Sequence, residues 1–211
     1  MNDRIALRRL IEERLKDSRA APDPTTAVPA GFTANDVEAI RAYFPAAPIA
    51  AAVLVPIVDR ESGLTVLLTQ RASTLKNHPG QISFPGGRIE SSDLNPLDAA
   101  LRETEEEIGV PREYITFTGY LESQLVLSGY WVTPVVAFLQ PGFELQLDHR
   151  EVETAFEVPL THILDPVNHR ARSRELGAVT VQVYDIPYEH HNIWGATAGM
   201  LMSLYKLLRT E

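Results

Sequence analysis

Apolar residues recur along this chain in two rhythms, one helical and one alternating. Near the start, Ile5, Leu7, Leu10, Ile11 and Leu15 fall at helical spacing among charges, which predicts an amphipathic helix packed on the body of the protein. The proline-rich stretch "AAPDPTTAVPAGFT" reads as a linker, after which Thr33 can cap a short helix over "ANDVEAIRAYF". The expected division is an N-terminal helix and linker, 1–32, and one larger domain, 33–211. Within that domain "PIAAAVLVPIV" and "LTVLLTQR" are β-branched, apolar runs flanking the polar turn "DRESG", the pattern of a hairpin. Further strands are expected at "ITFTGYLE", "YWVTPVVAFL" and "VTVQVYDIP", and a long apolar helix at "GATAGMLMSLYKLLR". Mixed strands with a few helices predict an α/β or α+β sandwich.

One helix stands apart because its polar face carries chemistry. Asn95 followed by Pro96 is a good N-cap, and Gly109 then Pro111 mark the stop, so a helix is predicted over 96–108. Leu97, Leu101, Thr104 and Ile108 form its core stripe, whereas Glu103, Glu106 and Glu107, at i, i+3 and i+4, converge on another face. Like charges at this spacing repel, so the cluster is either a solvated acidic face or a set of oxygen ligands for a hard divalent cation such as magnesium. Arg102, four residues before Glu106, can pair with a carboxylate and orient it. Just upstream, Gly86 and Gly87 let the backbone turn and approach a ligand with no Cβ in the way.

Composition narrows the setting. The 211 residues are 45% hydrophobic, enough for one sizeable core, and the formal net charge of −9 argues against a nucleic-acid surface driven by counterion release. A local basic cluster can still grip a phosphorylated small molecule. The absence of cysteine rules out disulfides, thiolate metal sites and cysteine nucleophiles. The charged N-terminus lacks an apolar run, so neither a secretory signal nor a membrane anchor is expected, and a cytoplasmic location is.

The segment "GGRIESSDLNPLDAALRETEEEIGV" resembles the Nudix box of the Nudix hydrolases, whose pattern is G-x5-E-x7-R-E-U-x-E-E-x-G-U. Gly87, Arg102, Glu103, Glu106, Glu107, Gly109 and Val110 match it. One extra residue separates Gly87 from Arg102, Thr104 stands in a slot that is usually aliphatic, and the first glutamate of the pattern has only Glu90 and Asp93 as nearby substitutes. The resemblance implies an α/β/α sandwich around a mixed sheet, here with an N-terminal helical extension, and metal-dependent cleavage of a nucleoside diphosphate linked to another group. Glu103, Glu106 and Glu107 would hold magnesium or manganese, with Arg102 beside them. A general base need not lie on this helix, and "HREVETAFEVPL" offers Glu151, Glu153 and Glu157.

Upstream of the box, "LLTQRASTLKNHPGQISFPGG" is similar to the signature of the coenzyme A pyrophosphatase branch, L-L-T-x-R-S/A-x3-R-x3-G-x3-F-P-G-G. Lys76 replaces the second arginine, so a charge is kept and a planar fork is lost. Coenzyme A carries a 3′-phosphate besides its diphosphate, and Arg71, Lys76 and Arg88, with the backbone of Gly86 and Gly87, are the expected substrate contacts. His78 can contact phosphate or brace the loop, and His190 and His191 read as structural. The expected reaction yields 4′-phosphopantetheine and adenosine 3′,5′-bisphosphate. The alternatives are a Nudix pyrophosphatase for another dinucleotide, such as ADP-ribose or NADH, and a non-catalytic ligand-binding module of the same fold.

Overall fold

The structure is a computed structural model that describes residues 2–21, 47–176 and 179–209. The short helix expected after Thr33, and most of the linker before it, lie outside the described residues. Among the described residues four α-helices and eleven strands occur: α1 (Asn2–Leu15), β1 (Ile49–Arg60), β2 (Gly63–Arg71), β3 (Ile82–Ser83), β4 (Gly86–Arg88), α2 (Pro96–Ile108), β5 (Ile115–Tyr120), β6 (Gln124–Leu125), β7 (Tyr130–Leu139), β8 (Val152–Pro159), α3 (Leu160–Leu164), β9 (Arg170–Leu176), β10 (Val179–Tyr188), β11 (His191–Trp194) and α4 (Gly195–Arg209). The helix predicted over 96–108 and the strand predicted at "YWVTPVVAFL" form with those bounds.

Eight strands make one mixed sheet whose central path is β3-β2-β1-β7-β5, with β4 on β1, β6 on β7 and β8 on β2. The expected hairpin pairs β1 with β2 from Ile57↔Val66 to Arg60↔Gly63. β1 also pairs with β7 in parallel, from Ile49↔Tyr130 to Val58↔Leu139, and the sheet's other pairings are antiparallel. Being central, β1 and β7 are covered on both faces, which is why they read as continuous apolar runs. Side chains alternate between the two faces. Ala51, Val55 and Ile57 join the core under α1 and α4, and Ala52, Leu54 and Val58 join the core under α2. The result is helix, sheet and helix in three layers.

The N-terminal helix is part of this core. Ile11 and Leu15 are 0% and 2% exposed, and at roughly 1.5–3 kcal/mol for each fully buried aliphatic side chain they give α1 a strong reason to dock. Arg4 and Arg8 reach Asp59 at 2.9 and 2.6 Å, and the Arg8 guanidinium lies 4.4 Å from the centre of the Phe138 ring. A smaller antiparallel sheet, β9-β10-β11, leads into α4. It meets β8 through His191, stacked on Phe156 at 3.7 Å, so His191 serves packing as its sequence context suggested.

Candidate active site

The acidic helix α2 starts and ends on local signals. Asn95 Oδ1 accepts from Asp98 N at 3.0 Å, Pro96 takes the first turn, and Gly109, at φ 70°, closes the helix with its N–H on Glu105 O. The last carbonyls are not left to solvent. Gln146 N donates to Ile108 O at 2.9 Å and Asp148 N to Glu107 O at 3.0 Å, so the segment before β8 is tied to the C-terminal end of α2. Two further bonds fold that segment into a turn, Glu151 N to Asp148 O and Ala72 N to Glu151 O, the second joining it to the end of β2.

These ties close a cleft of about 230 Å³ lined by Glu103, Glu106, Glu107, Asp148, Arg150 and Glu151. The three helix glutamates differ sharply in environment. Glu107 is 4% exposed, and its carboxylate accepts one bond of 3.3 Å, from Gly86 N. Burial pushes its pKa up to about 8, against the pull of that bond and of Arg71's positive charge. Burial also raises the Glu103 pKa, although Arg102 donates to it. Glu106 is exposed at the rim.

Gly87 sets how near the loop comes. A Cβ there would stand 2.5 Å from Glu103 Oε1, so the strand passes the carboxylate at a distance only glycine allows. At Gly86, with φ 152°, a Cβ would meet the Val53 Cα at 2.6 Å.

Arg102 braces the whole arrangement. Its Nε and Nη2 donate to the two oxygens of Asp93 at 3.0 Å each, Nη2 also to Arg88 O at 3.0 Å, and Nη1 to Glu103 and Glu106 at 2.9 and 3.1 Å. Asp93, six residues after Gly87, is thus the acid that pairs with Arg102, while Glu90 supplies a backbone N–H to Asp93 at 2.7 Å. The extra residue relative to the box pattern falls after Asp93, where the chain turns through Leu94 into the cap. Thr104 fills its aliphatic slot by turning its hydroxyl onto Ala100 O at 2.7 Å, and Ala99 and Ala100 share the core face that the leucines were expected to dominate.

The other expected residues are distributed less tightly. Arg71, Lys76 and Arg88 do not line the cleft. Arg71 follows a bulge at the end of β2, and its Nε is buried with no hydrogen-bond partner among the described residues. Lys76 is exposed on the loop after β2, whose base is held by Arg71 N to Gln81 O and Gly80 N to Arg71 O. Arg88 is engaged with the Tyr130 hydroxyl, Nε at 3.2 and Nη2 at 3.1 Å. His78 braces the loop against Gln81 at 3.0 Å. Of the candidate bases, Glu151 lies in the cleft, whereas Glu153 accepts from Ser73 N and Glu157 is bound by Arg60 and Thr65. Asp148 and Arg150 were not legible as site residues, because only the helix C-terminus and the β2 edge bring them there. Arg150 is clamped on Asp148 and holds that carboxyl at about 2.

The donors fit a hard divalent cation: all are carboxylate oxygens, and the buried Glu107 carboxylate has too little hydrogen bonding to remain charged without a cationic neighbour. Among the described residues no three histidine, aspartate or glutamate side chains stand together as a ready-made metal cage, and Arg102 Nη1 donates to both Glu103 and Glu106.

A mixed sheet thus lies between helices, and a glycine-rich strand passes against the acidic helix whose glutamates line the cleft. The chain matches the NUDIX domain over residues 48–190, and it belongs to that family, whose hydrolases act on pyrophosphate bonds. It is similar to two proteins named uncharacterized Nudix hydrolase NudL. The one from Enterobacter sp. (strain 638) is 39% identical over 155 residues, 73% of this chain and 80% of that protein. The one from Photorhabdus laumondii is 38% identical over 154 residues, 73% and 82% of the two chains. The crystal structure of DR0079 from Deinococcus radiodurans matches with a TM-score of 0.50 at 14% identity over 76% of this chain and 87% of that one, a likeness of fold alone. Nudix hydrolases generally need divalent metal ions and act on small nucleotide-derived substrates. No helix among the described residues is long and apolar enough to cross a membrane.

Proposed function

We propose that the protein hydrolyses the diphosphate of coenzyme A, giving 4′-phosphopantetheine and adenosine 3′,5′-bisphosphate. The observation that carries this reading is the buried Arg71 Nε, which has no hydrogen-bond partner among the described residues; the arginine's charge reaches Glu107, and it lies in the coenzyme A-like segment running into Gly86 and Gly87. A buried guanidinium nitrogen without an acceptor costs free energy until an anion arrives, and a phosphate supplies one. Lys76 and Arg88 lie on the same segment as further contacts, Lys76 with the mobility of a long exposed side chain suited to the 3′-phosphate.

Glu103, Glu106 and Glu107 would hold magnesium or manganese, which would supply positive charge to screen the diphosphate and to make the attacking water more acidic. Hydrolysis adds one water across the P–O–P bridge: its oxygen joins one phosphorus, and the bridging oxygen leaves with the other. Glu151, in the cleft and on a turn fixed by backbone bonds, takes the water's proton. Arg102 acts as a positioning residue, since it orients Glu103 and Glu106 through Asp93.

The test is a substrate panel with added magnesium, read by product chromatography. Adenosine 3′,5′-bisphosphate and 4′-phosphopantetheine should appear in equal amounts, and Lys76→Ala should raise KM for coenzyme A more than for ADP-ribose or NADH. Intact coenzyme A beside cleaved ADP-ribose or NADH would replace this substrate with a dinucleotide lacking the 3′-phosphate. No cleavage of any diphosphate would leave a binding module.

A further inference from the structure

Five carboxylates and one guanidinium line the cleft, a wall that repels a diphosphate before any cation binds. Two of the nearby arginines are already committed. Arg102 is spread over Asp93, Arg88 O, Glu103 and Glu106, and Arg88 is engaged with Tyr130. Arg150 is different. Its side chain is 89% exposed and is tethered only locally, Nε to Asp148 at 2.9 and 3.1 Å and Nη2 to Asp148 Oδ2 at 2.6 Å. The backbone under it is fixed to Glu107 O through Asp148 N and to Ala72 through Glu151 O, so the guanidinium can move while the turn stays. An ion pair this exposed adds little stability, so exchanging its carboxylate for another anion is cheap. A diphosphate offers pairs of phosphoryl oxygens that can accept the guanidinium's two donors, and a larger total charge than one carboxylate.

We infer that Arg150 is a substrate-positioning residue of the cleft, which leaves Asp148 to grip the diphosphate of the incoming substrate. The inference rests on the diphosphate reading above and names a residue that reading does not use. In the resting protein Asp148 competes with substrate for Arg150; once substrate is bound, the guanidinium neutralises phosphate charge opposite the glutamates. The two members of the pair therefore have opposite effects on substrate affinity, which a purely structural brace would not produce.

The experiment compares Arg150→Ala, Arg150→Lys and Asp148→Asn in the full chain with magnesium. Losing one charge-assisted contact is worth roughly tenfold in affinity, so Arg150→Ala should raise KM about tenfold for whichever diphosphate is turned over, with kcat within about threefold. Arg150→Lys should recover part of the loss, and Asp148→Asn, which removes the competitor, should lower KM. An unchanged KM in Arg150→Ala, or a KM raised alike by Arg150→Ala and Asp148→Asn, overturns the inference. Calorimetry with inorganic pyrophosphate separates this from the substrate assignment. If the wild type cleaves nothing in the panel, the proposed function fails, yet a tenfold weaker pyrophosphate affinity in Arg150→Ala still supports Arg150, and an unchanged or undetectable wild-type affinity overturns it.

Discussion

Glu107 sits where a carboxylate is least welcome, 4% exposed, below a strand and beside Glu103, with a single backbone donor at 3.3 Å. A carboxyl that holds its proton more tightly in the folded chain favours folding below its ordinary pKa of 4.5 and stops doing so as the pH rises through about 8. The metal-free protein should therefore lose stability between about pH 5 and 9. Glu107→Gln keeps the shape without the titration, so in chelator its unfolding free energy should stay flatter across that range and exceed the wild type's above pH 8. The same variant should lower kcat by at least about 100-fold with magnesium present, as should Glu106→Gln, because charge that stabilises the transition state is gone. Urea melts at several pH values and steady-state rates read both effects. Parallel pH profiles would contradict the raised Glu107 pKa, and near-wild-type turnover would remove Glu107 from the proposed metal site.

At the scale of elements, what was legible in the sequence was what local signals encode. The bounds of α2 follow from Asn95-Pro96 and Gly109, and β7 and α4 from unbroken apolar runs. Strand β8 was invisible because its burial does not alternate cleanly, and β3 and β4 because two or three residues carry no periodicity. The box glutamates could be read from spacing, whereas the acid that pairs with Arg102 could not be chosen between Glu90 and Asp93 without the turn that aims Asp93. That pair now frames the loop and α2 as one unit, since the Asp93 side chain is 3% exposed and its two oxygens receive Arg102 Nε and Nη2. Arg102 holds its carboxyl below the usual range. Asp93→Asn keeps the volume but offers only one oxygen, so Arg102 is left to draw Glu103 and Glu106 toward itself and away from the cleft. We expect kcat to fall about tenfold, the equivalent of one such contact, with far-UV circular dichroism unchanged. Unaltered kcat in a folded Asp93→Asn would show that this brace does not set the glutamates.

For the whole molecule, the division of labour runs through the sheet: α2 and its cleft on one face, α1 and α4 on the other. The parallel pairing of β1 with β7 builds this separation, and no local pattern could announce it, because its partners lie about eighty residues apart. The N-terminal helix could be read as amphipathic from Ile11 and Leu15, but its seat could not. It rests on Phe138 through Arg8, on Asp59 through Arg4 and Arg8, and against Gly119, where a Cβ would stand 2.6 Å from Leu15 O. Ser18 finishes the contact, its hydroxyl accepting from Tyr120 N at 2.8 Å. Because Ile11 and Leu15 belong to the core opposite the cleft, stability and catalysis should separate there. Ile11→Ala or Leu15→Ala should cost about 2–5 kcal/mol of unfolding free energy by urea denaturation, as buried aliphatic truncations do. Below the denaturation midpoint, kcat and KM should stay within about twofold of wild type, since neither side chain touches the glutamates or the turn at Asp148. A large rate loss in a still-folded variant would mean that the two faces of the sheet are coupled, and a stability change under about 0.5 kcal/mol would mean that α1 is not seated in the core.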